Sequence, residues 1–160
     1  MSRSPILRLS LVATLVGVVL AVGGQTVARG QDAGEPGTQP APRFAWVDIS
    51  IDSGGVPLAA YQLELSSDAG KFEIVGIEGG EHAAFHEPPY YDPAALKQGR
   101  VILAAFSTDD ALPTGSTRVA RVHVMLEDAA PHYVATLKVA ATADGTTIPV
   151  HVTATEGAQP

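Results

Sequence analysis

The sequence predicts an all-β chain folded as one antiparallel β-sandwich domain of seven to nine strands. Three observations carry that prediction. Between residues 43 and 155 the apolar side chains recur with a period of two, the repeat of a strand with one face buried. Clusters of Gly, Pro, Asp and Ser punctuate those runs at short spacing. Beyond residue 28 no long stretch carries the 3.6-residue apolar repeat of a helix.

The elements follow in order. Residues 44–51 place Ala45, Val47, Ile49 and Ile51 on one face, and Trp46 is expected between the sheets on residue type, with sugar stacking as the alternative. Residues 58–65 point Tyr61, Leu63 and Leu65 one way and Gln62 and Glu64 the other. A third strand is expected at 72–78. Residues 100–106 are nearly all apolar, which predicts a central strand. Residues 118–126 turn Ala120, Val122, Val124 and Leu126 inward and Arg121 and His123 outward. Two more strands are expected at 133–141 and 147–153, joined by Asp144-Gly145, a dipeptide that accepts positive φ in a tight hairpin turn. The one helical signal is short: Asp92 as N-cap, Pro93 in the first position and an end near Gly99.

The first 28 residues read as an address. Arg3 and Arg8 precede an uncharged apolar run from 9 to 22, too short for a bilayer span, and small residues follow. This predicts a secretory signal peptide cleaved after Ala28, with Gly24 as a second cleavage position and an uncleaved anchor as the alternative. Residues 29–42 hold three prolines, three glycines and no large apolar side chain, so they predict a flexible tether. Residues 156–160 predict a frayed tail on the same grounds. The protein is therefore expected in the secreted or periplasmic space, with no membrane span once the leader is removed.

Composition excludes several functions. The chain of 160 residues carries 10 Lys+Arg against 17 Asp+Glu, a net charge of −7. Loss of Arg3 and Arg8 with the leader leaves 8 basic residues against the same 17 acids, a charge of −9. Non-specific nucleic-acid binding needs the opposite sign. With no cysteine there is no disulfide, thiolate nucleophile or Cys-bound metal.

Residues 60–65 (AYQLEL), 72–80 (FEIVGIEGG), 100–107 (RVILAAFS) and 112–124 (LPTGSTRVARVHV) resemble, in order and pattern, the strands of cohesin-like modules in the carbohydrate-binding β-sandwich superfamily. The resemblance spans about residues 44–154. It implies a jelly-roll sandwich and a non-catalytic recognition module, whose partner would be an extracytoplasmic protein, such as a dockerin-like one, or a polysaccharide. Two features depart from the pattern. Asp92-Pro93 comes after a long insertion, and no duplicated calcium loop occurs.

That insertion, residues 79–99, concentrates the chemistry. It holds Phe85, Tyr90 and Tyr91 together with Glu81, His82, His86, Glu87 and Asp92. Three readings compete. His82, His86, Glu87 and Asp92 are candidate metal ligands, although Pro88-Pro89 ends any helix and no HExxH order is present. Phe85, Tyr90 and Tyr91 are candidate ligand-binding aromatics, joined by the outward Gln62 and Glu64 of the second strand. Alternatively Phe85 and Tyr90 cap the sandwich and the prolines stiffen the cover. Catalysis finds little: Ser107 and Thr108 lie near Asp109-Asp110, but no G-x-S-x-G or Ser-x-x-Lys occurs. The expectation is a binding module with no cofactor and no enzymatic activity. The alternative is an envelope assembly protein whose sheet edge pairs with other copies.

Overall fold

A computed structural model of the protein describes residues 41–158 apart from 97 and 128–130. The leader and most of the tether expected at 1–42 lie outside the described residues. Seven strands are described: β1 (Arg43–Asp52), β2 (Ala60–Ala69), β3 (Glu73–Gly79), β4 (Val101–Phe106), β5 (Ser116–Leu126), β6 (His132–Ala141) and β7 (His151–Ala158). They form two antiparallel sheets, one ordered β3-β5-β1-β7 and the other β4-β2-β6. The all-β sandwich expected from the period-two pattern is what the chain forms. Among the described residues no helix is long and apolar enough to cross a membrane.

Each strand leaves the sheet of the strand before it. β1, β3, β5 and β7 build one layer and β2, β4 and β6 the other, so no two consecutive strands are hydrogen-bonded neighbours. All ladders join distant segments, as where Asp52 of β1 lies opposite His151 of β7. Loop closure must therefore precede any sheet formation, which is the topology of a slow folder.

The core is the set of inward positions that the alternation singles out. Val47, Ile49 and Ile51 of β1, Leu63 and Leu65 of β2, Leu103 of β4 and Val122 and Val124 of β5 are fully buried. A bulge in β5 at Val119 buries two successive residues, Val119 and Ala120. It also presents the Val119 carbonyl to the buried Tyr61, whose hydroxyl donates to it at 3.1 Å. Burial pushes the Tyr61 phenol pKa up, so the ring stays neutral in the core.

Four local expectations are corrected. The Asp144-Gly145 turn forms, with Gly145 at φ 84° and Thr142 N–H donating to the Thr146 carbonyl at 3.0 Å. It is not a hairpin between sheet partners, because Pro149 has no N–H to donate and β7 begins beyond it, at His151, in the other sheet. The strand expected at 147–153 is thus shifted. β4 is an edge strand rather than a central one, and its Ile102 and Phe106 are exposed. The expected tail at 156–160 is, through Ala158, the end of β7, where Glu156 pairs with Val47 and Gly157 with Trp46.

Trp46 explains that glycine. It is not an inter-sheet core residue: it lies on the outer face of its sheet, where Gly157 leaves room for the indole, since a Cβ there would collide with the ring. The Arg121 guanidinium stacks over the indole, 5.0 Å from its centroid. Arg121 also grips Asp48 through Nε at 2.7 Å and Nη2 at 2.8 Å, and Arg118 Nε lies 3.8 Å from the same carboxylate. The Arg121 hydrogen bond chiefly holds the Asp48 carboxyl below its usual pKa. A depressed carboxylate stabilises the fold above its unfolded pKa, and that contribution disappears as pH falls through the lower folded value. The Asp48→Asn variant should therefore lose less stability than the parent between about pH 5 and pH 1. Guanidinium denaturation across that window checks this, and parallel curves would show that Asp48 contributes nothing to acid unfolding.

Candidate functional site

Residues 80–96 of the β3–β4 connection form a strap held by backbone hydrogen bonds. Gly80 N–H donates to the Phe85 carbonyl at 2.6 Å, and Glu81 N–H reaches the Arg118 carbonyl at 2.9 Å. Ala83–Phe85 and Pro93–Ala95 are short 3-10 turns. The second matches the helical signal read at Asp92-Pro93: Asp92 caps it, accepting from Ala94 N–H at 2.9 Å. Between the two turns the strap passes along the open edge of β4. Tyr90 N–H donates to the Ala104 carbonyl at 2.7 Å and Ala104 N–H to the Tyr90 carbonyl at 3.0 Å. Tyr90 thereby covers an edge that would otherwise leave backbone groups unpaired.

The three aromatics of the strap have three different fates. Phe85 is 3% exposed and packs edge-to-face on Tyr61, with centroids 5.4 Å apart. It is a core residue, which corrects its assignment as a ligand contact. Tyr91 is half-buried against the core. Tyr90 is 80% exposed.

The metal candidates are spent on local structure. His82 Nδ1 accepts from Ala84 N–H at 3.2 Å and so caps the first turn. His86 Nδ1 lies 2.6 Å from the Ala83 carbonyl and its Nε2 lies 3.0 Å from Glu87. The backbone carbonyl first, and Glu87 second, raise the His86 pKa. Asp92 is the cap of the second turn. Among the described residues no three His, Cys, Asp or Glu side chains gather as a metal site would require, so His82, His86, Glu87 and Asp92 do not form the expected ligand set. Ser107 is similarly occupied in a turn, its hydroxyl oxygen accepting from Asp109 N–H at 3.2 Å.

What the fold does bring together is the outer face of β4-β2-β6. Residues opposite one another in an antiparallel ladder share a face. Tyr90 lies opposite Ala104, Ala104 opposite Gln62 and Gln62 opposite Val139. One row along, Phe106 lies opposite Ala60; one row the other way, Ile102 lies opposite Glu64. Gln62, Tyr90 and Glu64, predicted from separate segments, thus occupy one surface. Ala104 floors it beside Tyr90, and Phe106, 78% exposed, stands with Ala60 at its margin. A shallow groove of about 210 Å³ runs between Pro88, Pro89, Tyr90, Ala104 and Phe106.

Glu64 is not a free contact group. Arg100 holds it bidentately, Nε to Oε1 at 2.9 Å and Nη2 to Oε2 at 2.8 Å, and Lys138 Nζ lies 3.3 Å from Oε2. The Arg100 hydrogen bond is the main reason its pKa is lowered. The carboxylate is ionised and doubly paired, and with Arg100 and Lys138 it forms a charged cluster beside Ile102 at one end of the face.

Phe106 is the residue that sequence reasoning missed. The signal was present: Ile102, Ala104 and Phe106 share one parity of β4 and Val101 and Leu103 the other. Reading the run as a fully buried central strand hid that alternation.

The chain matches no family model, no curated protein and no solved structure.

Proposed function

We propose that this chain is a non-catalytic, extracytoplasmic binding module of cohesin-like type that docks a protein partner on the outer face of β4-β2-β6. The observation that carries the reading is the pair Tyr90 and Phe106, 80% and 78% exposed on one face of one sheet. Two large aromatic rings in water are costly, and exposed aromatics beside a smooth floor are the anchors that protein interfaces bury. The extracytoplasmic placement rests on the leader pattern of residues 1–28.

The floor favours a protein over a polysaccharide. A sugar site needs polar groups arrayed to hold ring hydroxyls beside the aromatic platform. Here Ala104 lies next to Tyr90 and Ala60 lies opposite Phe106, Glu64 is tied to Arg100 and Lys138, and the Gln62 amide is the polar group opposite Ala104. An apolar patch with small side chains beside its aromatics suits the flat, dry core of a protein interface.

The test is the double variant Tyr90→Ala/Phe106→Ala. A partner captured from the organism's secretome is purified and titrated against parent and variant. Loss of both anchors should weaken binding by about thirtyfold or more, as expected for truncated hot spots. The melting curve should barely move, because neither ring is buried. Unchanged affinity overturns the proposed face. Binding to purified polysaccharides that the double variant abolishes overturns the choice of a protein partner.

A further inference from the structure

The opposite end of the sandwich from the chain's entry holds an open apolar depression that the docking face does not use. β1 runs ten residues from Arg43 to Asp52, a length of about 30 Å. Where it ends, the β1–β2 connection, the β4–β5 connection and the β6–β7 turn converge. They border an open depression of about 700 Å³, which would cover one side of a small ligand rather than enclose it. Val56, Pro57, Leu112 and Ile148 supply an apolar wall, and Val56 is 39% exposed there. Asp110 and Asp144 supply two carboxylates, and no Lys, Arg or His is among the lining residues.

One of these carboxylates is held in place. Asp144 Oδ1 accepts from Thr142 Oγ1 and, at 3.1 Å, from Thr146 N–H, across the turn whose Gly145 sits at φ 84°. The Thr142 hydrogen bond leads the contributions that lower the Asp144 pKa, so the group is ionised as well as fixed. Such an anion at the rim of an apolar hollow attracts a positive charge that brings its own hydrocarbon.

We propose that this depression binds an organic cation, an amine or guanidine head group carried on an apolar body that lies against the wall. A bare metal ion would leave the Val56–Leu112–Ile148 wall unused, and no group of three or more metal-ligating side chains exists among the described residues. An anion would meet two carboxylates with no lining cation to offset them. The net charge of −7 draws cations toward the molecule generally, and the depression gives one a place to lodge. The site is a small-molecule site at a sandwich end and stands independently of the proposed protein-docking face.

Three probes of one shape separate charge from hydrophobic fit: phenylbutylamine, phenylbutanol and phenylbutyrate, each titrated into the isotope-labelled full chain by amide NMR. The amine should shift the amides of Val56, Leu112, Thr146 and Ile148. It should bind about fivefold more tightly than the alcohol, the gain expected of partly exposed charge pairs, with the butyrate weakest. Asp110→Asn should bring the amine toward the alcohol. So should Asp144→Asn, which retains the Oδ1 acceptor that the turn needs. Equal binding of amine and alcohol, or shifts mapping elsewhere, overturns the proposal. Loss of probe binding with the Tyr90/Phe106 face intact leaves the docking reading untouched, so the two fail separately.

Discussion

Replacing Phe85 with alanine should destabilise the fold by about 3–5 kcal/mol, the cost of emptying an aromatic site in a packed core. The ring is 3% exposed and meets Tyr61 edge-to-face. The surrounding structure has little freedom to collapse into the void. The Phe85 N–H donates to the His82 carbonyl at 2.9 Å and its own carbonyl accepts from Gly80 N–H at 2.6 Å, so the strap backbone is held on both sides of the missing ring. A loss of that size is a large part of the roughly 5–15 kcal/mol that holds a domain of this class together. Guanidinium denaturation measures it. The result discriminates between roles: a ligand-contacting phenylalanine would show lost binding with stability changed by less than about 1 kcal/mol. That outcome would return Phe85 to the surface site.

The second large effect is expected at Gly79, the last residue of β3. A Cβ there would run into the carbonyl of His86 and lie 2.6 Å from the carbonyl oxygen of Glu87. Both obstacles are backbone, so no side-chain rotation relieves the clash. Gly79→Ala should displace the strap from the end of β3 and cost about 3 kcal/mol, the upper range of overpacking. Because the strap also pairs with β4, hydrogen exchange should quicken at the Tyr90 and Ala104 amides, which exchange hydrogen bonds across that edge. Gly55→Ala is the control, since a Cβ at that position meets nothing within 4 Å. If Gly79→Ala and Gly55→Ala melt alike, the strap is not seated as described.

The candidate site was partly legible. Gln62 could be named from sequence because a polar residue inside an alternating strand must face outward, whereas Tyr90 was one of two readings, an exposed platform or a cap. Phe85 lies five residues from Tyr90 in the same connection and is just as aromatic, yet it is buried. Nothing local separates the two, since which ring enters the core depends on where the strap crosses the gap between sheets. The histidines failed as metal ligands for a related reason. Spacing places His82 and His86 near each other, but their ring nitrogens were already needed to satisfy the backbone of a 3-10 turn. The glycine at 157 was read as looseness, whereas it is the space that Trp46 requires.

By itself the sequence determined six of the seven strands to within a few residues, the inward faces of β2 and β5, the small cap at Asp92 and the turn at Gly145. These follow from covalent geometry, which alternates side chains along any extended chain and allows positive φ to glycine at little cost. Only the tertiary structure decided which strand lies beside which, that β4 is an edge, that Phe85 is inside and Phe106 outside, and that three distant connections border one surface depression. In this fold each strand crosses to the other sheet, so no hydrogen-bonded pair of strands is adjacent in sequence. The choice of neighbour is made by burying both inner faces at once, and that energy belongs to the packed layers, not to any single segment.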